Sequence, residues 1–188
     1  MNEDVRKIIV GYFMTDSNNY LSRFEVLKPH FNDISTRSKL LVDLIFSFEC
    51  SLKALIFLQS TEDEIATYKK IKQHKLENLF KTANRSVLSN IRKFVALQQL
   101  DKYSVHVRYT LEANIAFRNP TSHTLGEVYY DTVANPAWID SVYEQAKDLN
   151  TVVKNEYNTK YGSLTTTNFA NLDMEAISKC NKIISQFK

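Results

Sequence analysis

The sequence predicts an all-α protein: a bundle of up-and-down antiparallel helices in a single domain, with extra helices at its N- and C-termini. Three observations predict it. Only 3 Gly and 3 Pro occur among 188 residues, too few for the many turns of an all-β chain. Hydrophobic residues make up 44% against a formal net charge of +3, a balance that supports a core and argues against disorder. In the run from 36 to 59, the polar residues Lys39, Asp43, Ser47 and Ser51 recur every four positions in an otherwise apolar stretch. That period is helical, and it predicts a central helix with one narrow wet stripe.

The elements follow in order. Residues 4–14 read as a short helix, and 18–28 as a second that ends before Pro29. Ser35 or Thr36 is placed to cap the central helix, which runs to about residue 59. Glu49 and Lys53, four apart, are spaced to pair on its surface. Thr61 and Glu64 have capping-box spacing and open a basic helical stretch over 61–83, in one or two pieces, with Leu76, Leu79 and Phe80 as its apolar face. Ser86 is placed to cap a helix to about 99, and 103–118 continue as helix. Asn119-Pro120 then breaks the ladder, since proline disfavours the helical state in the residue before it and suits the first position of a new helix. The same device at Asn135-Pro136 opens a helix to about 158. A loop containing "YGSLTTTN" leads to a last amphipathic helix over 172–187.

Composition removes several classes of function. The greasiest stretch, "LLVDLIFSFECSLKALIFL", is interrupted by Asp43, Glu49 and Lys53 and reads as a buried helix, so no membrane partner is expected. "MNEDVRKIIVGYFM" has acids at its start and no long apolar run, unlike a signal peptide, so the expected location is cytoplasmic. Cys50 and Cys180 are the only cysteines, and neither has histidines at ligand spacing, so no zinc site is expected. There is no glycine-rich phosphate loop and no nucleophile–base pairing of a small-molecule hydrolase. No cofactor and no metal are expected.

Charge is unevenly spread. Residues 65–93 carry Lys69, Lys70, Lys72, Lys75, Lys81, Arg85, Arg92 and Lys93 against the single acid Glu77. Such a segment either faces a polyanion or is an ordinary solvated helix surface. Further along, "AFRNPTSHTL" places Arg118 and His123 on either side of Asn119-Pro120. In one continuous helix these two side chains would diverge, at roughly 100° per residue. With a break between them, Arg118 ends one helix and His123 lies in the first turn of the next. Both can then converge on one point beside a helix N-terminus, an arrangement suited to a phosphate.

An arginine, a polar residue and a histidine four to six residues after the arginine, at a helix break in a small bundle, resemble the motif of the HEPN superfamily. Arg118, Asn119 and His123 match it, with four residues between the arginine and the histidine. "FECSLKALIF" looks like the long HEPN helix before the basic hairpin, and "HKLENLF" looks like the segment after it. The resemblance covers about residues 36–158 as a HEPN-like core. It leaves 1–35 as an N-terminal helical extension and 164–188 as a C-terminal helix. One toxin branch of the superfamily has a tyrosine two residues after the histidine; here that position is Leu125.

The resemblance implies a metal-independent endoribonuclease that works as a homodimer with a composite active site at the interface. It also implies a toxin or an antiviral (abortive infection) effector, with an antitoxin or defence-system protein as partner. Some HEPN proteins only bind, so a non-catalytic helical RNA- or protein-binding module is the alternative. The chemistry fits the residue types. Metal-free RNA cleavage needs the 2′-OH to attack phosphorus while one group takes a proton and another gives one to the leaving 5′ oxygen. Histidine can do either near neutral pH. Arginine forks onto phosphate oxygens and stabilises the added charge. A single His123 does not easily supply both roles, whereas two copies across a two-fold axis do. Asn119 orients a phosphate, holds His123, or is only the helix N-cap. Lys69, Lys70, Lys72 and Lys75 are the expected RNA-binding residues, on a track leading to the Arg118–His123 notch. His74 reads as a packing or capping histidine.

Overall fold

In the computed structural model the described residues are 3–83, 85–103, 129–162 and 174–186, and among them the chain is helical with no strand. The first helix, α1 (Glu3–Leu27), is a single rod where the sequence suggests two short helices. The polar run Thr15–Asn19 looks like a break, but it is not one. Thr15, Asp16, Asn18 and Asn19 face outward, while Ser17 turns inward and finds polar partners there. A 3-10 turn (Lys28–His30) carrying Pro29 ends the rod.

The central helix, α2, spans Ile34–Gln59. Its cap is Asp33 rather than Ser35 or Thr36. The Asp33 carboxylate accepts from the Ser35 backbone N–H (3.3 Å) and from the hydroxyls of Ser35 (2.6 Å) and Thr36 (2.8 Å). These bonds pull its pKa down to about 2. The serine and threonine thus serve the cap instead of forming it. Leu40, Leu44, Phe48, Leu52 and Leu55 are fully buried. Each contributes roughly 1.5–3 kcal/mol of burial, which is why the fold is organised on this helix.

The stripe expected to be wet is largely inside. Lys39 is exposed, but Asp43, Ser47 and Ser51 are buried against α1. Ser17 Oγ lies 2.9 Å from Ser47 Oγ and 2.8 Å from Ser51 Oγ. Arg23 pairs with Asp43 at 2.9 Å. A stripe of small polar residues on a helix is compatible with burial when a facing helix offers matching groups. Here α1 does.

Two short helices follow. α3 (Glu64–Ile71) is capped by Asp63, whose carboxylate accepts from Ala66 N at 2.7 Å, in place of the Thr61–Glu64 box. α4 (Leu76–Ala83) buries Leu76, Leu79, Phe80 and Ala83, as its pattern predicts. Its first N–H groups, on Leu76 and Glu77, donate to the Asp101 carboxylate at 2.7 and 3.0 Å. Ser86 begins a 3-10 turn (Ser86–Leu88) and does not cap; α5 (Ser89–Leu97) continues from it.

Asn135 and Pro136 open α6 (Pro136–Tyr161) as the sequence predicts, with Asn135 Oδ1 accepting from Ala137 N (3.0 Å) and Trp138 N (3.4 Å). Gly162, at φ 81°, ends it in a conformation that side chains disfavour. The last helix, α7 (Met174–Ser185), packs on α1.

Cross-links fix the directions. Arg6 donates to the Ser60 carbonyl (2.6 Å), Ser17 meets Ser47 and Ser51, and Arg23 meets Asp43, so α1 runs antiparallel to α2. Tyr161 donates to Glu3 (2.6 Å), Asn150 to Ser17 (2.9 Å), and Lys28 pairs with Asp140 (2.9 Å), so α1 is antiparallel to α6 as well. α2 and α6 therefore run the same way, and residues 3–27 are sandwiched into the core. No helix among the described residues is long and apolar enough to cross a membrane.

Candidate functional site

Arg118, Asn119 and His123 lie outside the described residues. The Asn-Pro device on which their convergence depends is described at its second occurrence, Asn135-Pro136. There it opens a helix with the asparagine side chain on the first free N–H groups.

The four lysines expected to bind RNA are described and exposed. Lys69 and Lys70 close α3, Lys72 is its C-terminal boundary residue, and Lys75 immediately precedes α4. They are not equivalent. Lys70 is paired with Glu62 at 2.7 Å. Lys81 and Arg85 are likewise paired, with Glu77 (2.7 Å) and Glu156 (2.9 Å). Among the described residues no carboxylate lies within ion-pair distance of Lys69 or Lys75. Part of the positive charge of this segment is thus taken up by ion pairs within the described bundle.

The connection between α3 and α4 also carries His74, and here the structure brings together residues that the sequence leaves apart. Glu49 and Lys53 are paired as their spacing predicts, Nζ to Oε1 at 2.7 Å, but the pair is buried rather than on the surface. The same oxygen, Glu49 Oε1, lies 2.9 Å from His74 Nδ1. A carboxylate can only accept, so Nδ1 carries the hydrogen and donates. The His74 side chain is 71% exposed. One buried carboxylate oxygen therefore holds a buried ammonium and a surface imidazole together. No local spacing announces this, since 25 residues separate Glu49 from His74. The one signal in the sequence is a histidine directly ahead of the apolar face of α4, which must lie against α2.

Other features are internal or mixed. Asn150 joins Ser17, Ser47 and Ser51 in a closed polar seam between α1, α2 and α6. A cleft of about 420 Å³ between α4 and α5 is lined by Glu77, Arg92, Asp101 and Lys102, charges of both signs. An apolar groove between α1 and α7 includes Ile8, Tyr12, Ile177 and Ile184. Cys50 and Cys180 are free thiols, and burial pushes the Cys50 thiol up to about 12, which makes it inert. Among the described residues no three His, Cys, Asp or Glu side chains gather closely enough to hold a metal ion.

No family model, curated protein or solved structure matches this chain.

Proposed function

We propose that the protein is a metal-independent endoribonuclease of HEPN type, acting as a homodimer in the cytoplasm as a toxin or antiviral effector with an antitoxin or defence-system partner. The observation that carries this reading is the sequence Arg118-Asn119-Pro120 followed by His123, in a chain whose described part is an all-α bundle. In this reading Arg118 clamps the scissile phosphate and stabilises the charge that builds on its oxygens. His123 moves a proton, and Asn119 supports one or the other. The exposed lysines at 69, 70, 72 and 75 hold the RNA backbone on either side of the cut without reading its sequence.

The same exposed lysines also suit a module that binds RNA and does not cut it. One assay separates the two. Purified protein is incubated with end-labelled single-stranded RNA in EDTA, and the product ends are identified. Cleavage leaving 2′,3′-cyclic phosphate and 5′-OH ends supports the nuclease. Retention of intact RNA supports the binding module, and cleavage that requires magnesium rules out the mechanism.

A further inference from the structure

We propose that the cleft between α4 and α5 is a nucleotide-binding site, holding the phosphate on Arg92 and Lys102 and the base on its apolar floor. The site uses neither Arg118 nor His123 and is independent of the proposed cleavage.

The cleft encloses about 420 Å³, inside the roughly 300–1,000 Å³ range of small-ligand sites. Phe80 of α4 and Val95 and Ala96 of α5 give it an apolar floor. Phe80 and Val95 also belong to the core of the bundle, so the floor is fixed. Arg92 stands on α5, and Lys102 ends the 3-10 turn (Leu100–Lys102) that follows this helix.

The four charges of the cleft are not equivalent. Glu77 is paired with Lys81 at 2.7 Å. The Asp101 carboxylate accepts from the Leu76 and Glu77 backbone N–H groups at 2.7 and 3.0 Å, so it already fills the N-terminus of α4. Both acids are therefore engaged by the protein itself. Arg92 and Lys102 are exposed, and among the described residues no carboxylate lies within ion-pair distance of either. Two cations are left to be met from outside, so the ligand is an anion. A guanidinium forks onto two phosphate oxygens, and an ammonium beside it adds a point charge.

The apolar floor asks for a body attached to that anion, and Gln99 favours a base over an aliphatic chain. Gln99 lines the cleft, and its amide offers a donor and an acceptor to the edge of a base. It is also the one non-glycine residue with positive φ among the described residues, at φ 51° and ψ 39°. Side chains disfavour this left-handed conformation, which recurs where a ligand is held.

The test titrates the full-length protein with AMP, adenosine and inorganic phosphate by calorimetry. Fluorescence of the single tryptophan is a second signal, since Trp138 Nε1–H donates to Gln98, beside Gln99, at 2.6 Å. AMP should bind with a Kd of about 1 mM or tighter, and adenosine and phosphate at least about 10-fold more weakly. Arg92→Gln and Lys102→Gln should each weaken AMP about 10-fold or more at an unchanged melting temperature, because each removes a charge-assisted hydrogen bond and no internal partner. Lys93→Gln, on the same helix but outside the cleft, should leave binding as it is. Gln99→Gly should raise the melting temperature and weaken AMP, since glycine adopts positive φ freely but has no amide. An uncleavable 2′-O-methyl RNA that displaces AMP places one nucleotide of an RNA strand in the cleft; an RNA that leaves AMP bound makes the ligand a free nucleotide. No binding at about 10 mM AMP, adenosine or phosphate binding as tightly as AMP, or an Arg92→Gln protein within about twofold of the parent would each overturn the inference. Cleavage of RNA in EDTA is read separately, so none of these results decides the nuclease reading.

Discussion

His74 and Lys53 meet on a single oxygen of the protein, Glu49 Oε1, at 2.9 and 2.7 Å, one from a surface connection and the other from inside the central helix. The carboxylate therefore has a structural duty toward Lys53 whatever it does for His74. Glu49→Ala strands a buried ammonium and should cost about 3–5 kcal/mol in urea unfolding. Replacing both partners, Glu49→Leu with Lys53→Met, removes the charges together and should be close to neutral. If Glu49→Ala is as mild as the double change, Lys53 is not held by this carboxylate.

Asp43 should make stability depend on pH. It is 1% exposed, its Oδ2 finds no hydrogen-bond partner among the described residues, and burial raises its pKa to about 6 despite the opposing pull of Arg23. A carboxyl raised in the folded state binds its proton more tightly folded than unfolded. Its contribution is therefore most favourable below about pH 4 and is lost as pH rises through about 6. Asp43→Asn removes that loss. The variant should gain on the parent by about 1–3 kcal/mol between pH 4 and pH 7.5, followed as the difference of their unfolding free energies. A difference that is flat with pH contradicts the buried, raised carboxyl.

The polar seam between α1, α2 and α6 should be costly to interrupt. Ser17 Oγ serves Ser47, Ser51 and Asn150 at 2.8–2.9 Å. Ser17→Ala removes only one atom yet leaves several buried groups short of a partner, at about 1–3 kcal/mol for each one left unsatisfied. Thermal unfolding should show a drop well beyond that of Ser35→Ala at the exposed start of α2. Equal drops would mean that the seam repairs itself with water.

This seam also explains what is legible in the sequence and what is not. The C-terminal limit of α2, the pairing of Glu49 with Lys53, the apolar face of α4 and the Asn135 cap follow from neighbours within four or five positions, whereas the burial of that pair and the start of α2 at Ile34 do not. The unity of α1 does not follow locally. Ser17 looks like a helix breaker because its partners lie 30, 34 and 133 residues away. The same distance in sequence hides the burial of the α2 polar stripe and the attachment of His74 to Glu49. The capping residues Asp33 and Asp63 are hidden for a smaller reason. In each case an acid stands just ahead of Ser, Thr or Glu residues that have capping chemistry of their own, and the carboxylate takes the free N–H groups first.

The basic connection should divide into effective and silenced lysines. Lys69 and Lys75 are unpaired by carboxylates among the described residues, while Lys70 is held by Glu62. Replacing Lys69, Lys70 and Lys72 together should weaken RNA binding and reduce its salt dependence by about 0.7 in log–log slope for each single-strand phosphate no longer neutralised. Turnover at saturating RNA should persist. Glu62→Gln releases Lys70 and should strengthen binding at low salt. Titrations at several salt concentrations read both effects, and an unchanged slope in the triple variant places the RNA track elsewhere.

The most direct measurement of the proposed activity is the single-turnover rate of RNA cleavage in EDTA for the parent beside His123→Ala and Arg118→Ala, with folding monitored by circular dichroism. The parent should cut and leave 2′,3′-cyclic phosphate ends. Both variants should keep the helical spectrum and lose at least about 10²-fold in rate, since each removes a group that acts in the transition state. A His123→Ala protein that cleaves RNA as fast as the parent would contradict the assignment of the site.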